Sequence, residues 1–123
     1  MTGRAARFEG RSALVVDDSE DQGDLLRVHL ERLGFTVSVV GTAEVAMDSY
    51  RTTAPAVAVV DLLLPGIDGW QLVDAMKSEV PDSRLVVTSV LGVEDYPSVD
   101  AILPKPFTFK QIAHTMDTIF PNG

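Results

Sequence analysis

The chain has 123 residues, 46% of them hydrophobic and 23% charged, with a net charge of −8 and no cysteine. Those numbers describe one domain of ordinary size, able to bury a core without disulfides or thiolate-bound metal. The acidic balance argues against direct nucleic-acid binding, since a negative surface repels phosphate backbones, and no apolar run approaches the ~18 residues of a membrane span.

Residues 1–11 read as a flexible N-terminal extension, 12–120 as the domain and 121–123 as a tail. Arg4, Arg7 and Arg11 are followed only by the short run Ala13–Val16, which gives way to Asp17, so no secretory signal is expected and the location is expected to be cytoplasmic. Ala13–Val16 is the first strand. Leu26, Leu30 and Leu33 repeat at helical spacing, and Gly34 follows as a left-handed stop. Phe35–Val40 is the second strand. Thr42 caps a helix whose apolar face is Ala43, Ala46, Met47 and Tyr50, and Pro55 breaks it.

Ala56–Val60 is apolar at every position, the pattern of a strand buried on both faces of a parallel sheet. Asp68–Gln71 forms a capping box for a helix carrying Leu72, Val73, Met76 and Val80. Leu85–Val87 is the fourth strand and Asp100–Leu103 a short fifth. Thr108–Gln111 is a second capping box, opening a helix with Ile112, Met116, Ile119 and Phe120 on its apolar side. Strict alternation of strands and helices predicts an α/β fold: a flavodoxin-like five-stranded parallel sheet, order 2-1-3-4-5, with helices on both faces. Only eleven residues, Ser89 to Val99, separate strands 4 and 5. A helix of about 10–14 residues with its loops does not fit there, so the helix at that place is expected to be reduced or missing.

In this strand order, strands 1 and 3 are neighbours at the switch point, where ligands bind beyond the carboxyl ends of the strands. Strand 1 ends in Asp17-Asp18 and strand 3 in Asp61. Three carboxylates brought together repel one another unless a cation sits among them. An oxygen-only donor set favours a hard ion, and Mg²⁺ fits best. Thr88-Ser89 at the end of strand 4 supplies a hydroxyl, and Lys105 after strand 5 a mobile cation. Carboxylates, metal, hydroxyl and ammonium together make a phosphoryl site, in which an Asp carboxylate can serve as nucleophile.

Four segments, Leu14–Asp18, Asp61–Gly69, Val86–Ser89 and Leu103–Phe107, resemble the response-regulator receiver domain in order and spacing, over residues 12–120. The resemblance implies a phosphorylation-dependent switch of a two-component or phosphorelay system, not an enzyme acting on a free substrate. It implies Asp61 as phosphoacceptor, Asp17 and Asp18 as Mg²⁺ acids with Asp18 the more direct, and the Leu63 backbone carbonyl as a further ligand. It implies Thr88 as the switch hydroxyl, Lys105 as the phosphate-binding lysine, and a cis Lys105–Pro106 bond. The implied phosphoryl donor is a histidine kinase or histidine phosphotransfer protein. A downstream protein partner of unknown identity is expected, with no nucleic acid and no membrane, and the chain a monomer or weak homodimer. A stand-alone regulator and the receiver of a hybrid sensor kinase both fit.

The sequence departs from the family pattern in two further respects. Ile102 stands where an aromatic switch residue is usual, which keeps a pseudo-receiver, an interaction module never phosphorylated, as the alternative. Leu63 and Val90 flank the site with apolar side chains that cannot orient an attacking water, so a long-lived phosphorylated form is expected. A Mg²⁺-dependent phosphatase with an Asp nucleophile would want a second Asp at position 63, which is Leu. His29 and His114 read as partly exposed helix residues, and Glu20, Asp21 and Asp24 as charges that favour the start of the first helix.

Overall fold

A computed structural model describes residues 7–64, 66, 68–89 and 98–121. The strands are β1 (Ser12–Val16), β2 (Thr36–Val40), β3 (Val57–Asp61), β4 (Arg84–Ser89) and β5 (Ala101–Pro104). The helices are α1 (Glu20–Arg32), α2 (Ala43–Thr52), α3 (Gly69–Glu79) and α4 (Phe109–Ile119). The strands form one sheet in the order β2-β1-β3-β4-β5, parallel throughout, as the alternating sequence predicts.

Local chemistry explains where the helices begin and end. The Ser19 hydroxyl accepts from the Gln22 N–H at the start of α1, whose first turn carries Glu20 and Asp21 against the positive end of the helix dipole. Gly34 closes α1 at φ 107°, a conformation other residues avoid, with its N–H on the Glu31 carbonyl. Thr42 caps α2 by accepting from the Val45 N–H at 3.1 Å. Both expected capping boxes form: Asp68 with Gln71 on α3, and Thr108 with Gln111 on α4.

Successive strand residues face opposite sides of the sheet, which divides the core into two layers. Ala13, Val15, Val57, Val59, Val86 and Leu103 pack with Leu26 and Leu30 of α1 and Ile112 and Met116 of α4. Leu14, Val16, Ala58, Val60, Leu85 and Val87 pack with Ala46 and Tyr50 of α2 and Leu72 and Met76 of α3. β3 is buried at every position, as its unbroken apolar run requires. Each fully buried Leu, Ile, Val or Met contributes about 1.5–3 kcal/mol, so the two layers carry most of the stabilisation.

Residues 7–11, expected to belong to a flexible extension, pack on the domain. Phe8 is completely buried, stacked on Phe35 at 4.8 Å and tilted against Phe120 at 5.7 Å. The element ends differ slightly from the sequence reading. Asp100 precedes β5, holding Leu85 twice: its N–H donates to the Leu85 carbonyl at 2.9 Å, and its carboxylate accepts from the Leu85 N–H at 2.7 Å. The reduced helix expected between β4 and β5 falls on residues 90–97, outside the described residues. Among the described residues no helix is long and apolar enough to cross a membrane.

Candidate functional site

The carboxyl ends of the parallel strands assemble the site. Val16 of β1 pairs in register with Val60 of β3, so Asp17 emerges beside Asp61. Asp61 itself pairs with Thr88 across β3 and β4, and Thr88 with Leu103 across β4 and β5. Two residues beyond Leu103, the Lys105 N–H donates to the Ser89 carbonyl at 3.0 Å, which turns its side chain back over the sheet. The Lys105–Pro106 peptide bond is cis, as the family resemblance implies.

The Lys105 ammonium donates to Asp17 Oδ2 at 3.0 Å and to Asp61 Oδ2 at 3.3 Å. Both carboxylates are buried, with Asp17 3% and Asp61 7% exposed, while Asp18 is exposed at the rim. Their other oxygens are held by backbone: Asp17 Oδ1 accepts from the Ser19 N–H at 2.9 Å, and Asp61 Oδ1 from the Leu63 N–H at 3.0 Å. Burial pulls the Lys105 pKa down, but the hydrogen bond and charge of Asp17, followed by those of Asp61, outweigh it and leave the pKa raised. The lysine is therefore held charged.

One oxygen from each of Asp17, Asp18 and Asp61 lies within 4.8 Å of the others. A single ammonium shared by two of three carboxylates leaves the cluster negative, and this all-oxygen donor set fits a hard divalent cation. Thr88 is completely buried, and its Oγ1 has no hydrogen-bond partner among the described residues. A hydroxyl left in that condition costs about 1–3 kcal/mol.

Gly69 has a structural role that the sequence reading did not assign. A Cβ there would lie 2.5 Å from Leu62 Cα and 2.6 Å from the Asp61 carbonyl oxygen. Only glycine lets α3 start so close to the backbone that carries Asp61. The signal available in the sequence was a glycine at the first position of a helix whose cap, Asp68, already accounted for the turn. Among the remaining residues, Asp68 caps α3, and Trp70 packs against the α2–α3 core layer. His29 is half-buried with its ring 5.4 Å from Phe109, and His114 is exposed on α4. Ile102 is 39% and Leu63 49% exposed. Val90 lies outside the described residues.

A doubly wound parallel sheet with carboxylates, an ammonium and a buried hydroxyl converging at the switch point defines a class of small α/β domains suited to accepting a phosphoryl group. Comparison with known proteins gives the family. The model of the response regulator receiver domain matches residues 13–117, and the chain belongs to that family. Its members are the phosphoacceptor signalling domains of two-component systems, not enzymes in the ordinary sense.

Among curated relatives, the chain is 28% identical over 114 residues to the transcriptional activator protein PfeR of Pseudomonas aeruginosa, covering 89% of this chain and 37% of that protein. It is 30% identical over 103 residues to the sensor histidine kinase AtsR of Burkholderia thailandensis, covering 76% and 17%. It is 31% identical over 106 residues to the DNA-binding response regulator MtrA of Mycobacterium leprae, covering 80% and 46%. The chain thus spans less than half the length of each. Among solved structures, a CheY-like receiver domain from Methylobacillus flagellatus superposes with a TM-score of 0.80 at 26% identity, covering 89% of this chain and 98% of that one. A sensor protein from a Polaromonas species superposes with a TM-score of 0.80 at 27% identity, covering 92% and 98%.

Proposed function

We propose that the chain is a phosphorylation-dependent switch in which Asp61 accepts a phosphoryl group from a histidine kinase or a histidine phosphotransfer protein. The observation that carries this reading is the meeting of Asp17, Asp18, Asp61 and Lys105, with the Thr88 hydroxyl, unpartnered among the described residues, one strand away from Asp61. An Asp61 carboxylate oxygen attacks phosphorus, the phosphorus–nitrogen bond of the donor phosphohistidine breaks, and the imidazole leaves with its electron pair. Lys105 is placed to neutralise the incoming phosphoryl oxygens, and Thr88 Oγ1 to donate to one of them.

Asp17, Asp18 and Asp61, with the Leu63 carbonyl, are the residues that would hold Mg²⁺. When bound, the ion supplies charge neutralisation between carboxylates and phosphoryl oxygens. The protein's own part is to keep Asp61 anchored through the Leu63 N–H, to keep Asp17 anchored through the Ser19 N–H, and to hold Lys105 charged between them. With a charge of −8 the domain is suited to protein partners, and any nucleic-acid contact would belong to another part of a longer protein. Relatives of both kinds, a sensor kinase and DNA-binding regulators, support a receiver within a larger signalling protein as readily as a stand-alone one.

The test is intact-mass measurement after incubation with a small acyl-phosphate donor and Mg²⁺, with a phosphohistidine protein as a second donor, beside Asp61→Asn. The expected result is a gain of one phosphoryl group that requires Mg²⁺ and is lost in the variant. No gain from either donor with folded protein would overturn the reading in favour of a non-phosphorylated interaction module.

A further inference from the structure

Arg7, Phe8 and Phe120 all lie outside the residues 13–117 matched by the family, yet they form one joint at the amino ends of the strands, the pole opposite Asp61. α4 has no basic residue in its last turn. Two distant arginines supply the missing cations. Arg7 donates to the Phe120 carbonyl at 2.7 Å and pairs with Asp117, and Arg84 donates to the Ile119 carbonyl at 3.1 Å. The free carbonyls at a helix C-terminus carry partial negative charge, so these guanidiniums satisfy both the hydrogen bonds and the dipole. The Arg11 guanidinium covers the Phe120 ring at 4.8 Å.

The strap is also tied to the sheet. The Phe8 N–H donates to the Leu33 carbonyl at 3.1 Å, the Arg11 N–H to the Phe8 carbonyl at 3.0 Å, and the Thr36 N–H to the Arg11 carbonyl at 2.9 Å. Gly10 makes the return at φ 86°. Phe8 thus fills the gap between Phe35 at the entry to β2 and Phe120 at the end of α4.

We infer that residues 7–11 and the last turn of α4 open and close together, as one cooperative strap that couples the chain's entry into β1 to its exit from α4. The shared parts are Phe8, buried against Phe120, and Arg7, bonded to Phe120 and Asp117. Each half loses shared partners when the other leaves: Phe8 loses the Phe120 ring, and Arg7 loses the Phe120 carbonyl and Asp117. A motion imposed at one flank of the domain is therefore felt at the other without passing through the Asp61 site.

Amide hydrogen exchange of the full chain followed by NMR tests this, comparing the unaltered protein with Arg7→Ala and, as a second variant, Phe8→Leu. The amides of Phe8, Arg11 and Phe120 should speed up by a common factor, roughly three- to tenfold for Arg7→Ala, while those of Val60 and Leu72 stay unchanged. The inference is overturned if the Phe8 and Arg11 amides speed up while Phe120, bonded to Met116, does not. It is equally overturned if no amide changes, or if the core amides accelerate by the same factor.

Discussion

Asp61 and Thr88 are register partners at the last step of the β3–β4 ladder, and the Leu62 N–H beyond them closes on the Thr88 carbonyl at 3.1 Å. That pairing sets a buried hydroxyl, unpartnered among the described residues, beside the carboxylate.

Replacing that hydroxyl by a methyl group should therefore stabilise the unmodified protein. Thr88→Val keeps the β-branched shape and removes the orphan donor, for a gain of about 1 kcal/mol. Urea unfolding checks this through a rise in midpoint at constant slope. A loss of similar size would mean that Oγ1 has a partner in solution.

Gly69→Ala should be among the most damaging small substitutions. The added Cβ meets backbone of Leu62 and Asp61, not the end of a flexible side chain, so α3 or the β3–α3 connection has to shift. The expected loss is about 1–3 kcal/mol. Under the proposed function, where the variant still folds, acceptance of phosphoryl on Asp61 should fall with it, because the same backbone carries the carboxylate. Gly10→Ala is a useful contrast, since nothing lies within 4 Å of its added Cβ and only its positive φ is strained.

The tie between α2 and α3 has an alkaline limit. Burial, followed by the hydrogen bond to Glu79 at 2.8 Å, pushes the Tyr50 hydroxyl from 10.0 up to about 12. The raised folded pKa means that the contribution is complete below pH 10, where Tyr50 is protonated in both states. It is lost as pH rises from 10 to about 12, where the unfolded chain ionises first. Stability should fall across that window. In Tyr50→Phe this component of the decline should vanish, with a cost near neutral pH of about 1 kcal/mol for the lost hydrogen bond. Denaturant midpoints at pH 9 and pH 11 would decide it, and an equal decline in both proteins would refute the assignment.

Under the proposed function, Leu63 governs how long the aspartyl phosphate lasts. Its side chain is half-exposed beside Asp61 and offers no hydrogen bond to an attacking water. Leu63→Asn should shorten the lifetime by at least about threefold, a small part of what a positioned polar group can contribute to water activation. The decay is followed by intact mass after removal of the donor. A half-life of seconds in the unaltered protein would already count against the idea.

Much of this domain was legible in residue order because the signals are local. Thr42, Asp68 and Thr108 satisfy backbone N–H groups within three residues of themselves, so the starts of α2, α3 and α4 need no tertiary information. The unbroken apolar run of β3 says that both its faces are covered, and strand–helix alternation implies a parallel sheet. Asp17, Asp61 and Lys105 were identifiable as candidates because each stands at or just beyond the carboxyl end of a strand. Only the tertiary structure decided how they share charge, with Lys105 bridging carboxylates 88 and 44 positions away. It also decided that Gly69 must be glycine, that the Thr88 hydroxyl has no partner among the described residues, and that Phe8 belongs to the core. The physical reason is the same in each case. A lone aromatic at Phe8, a glycine at Gly69 and a hydroxyl at Thr88 have no periodicity to mark them, and their roles come from atoms that strand order and register bring close from far along the chain.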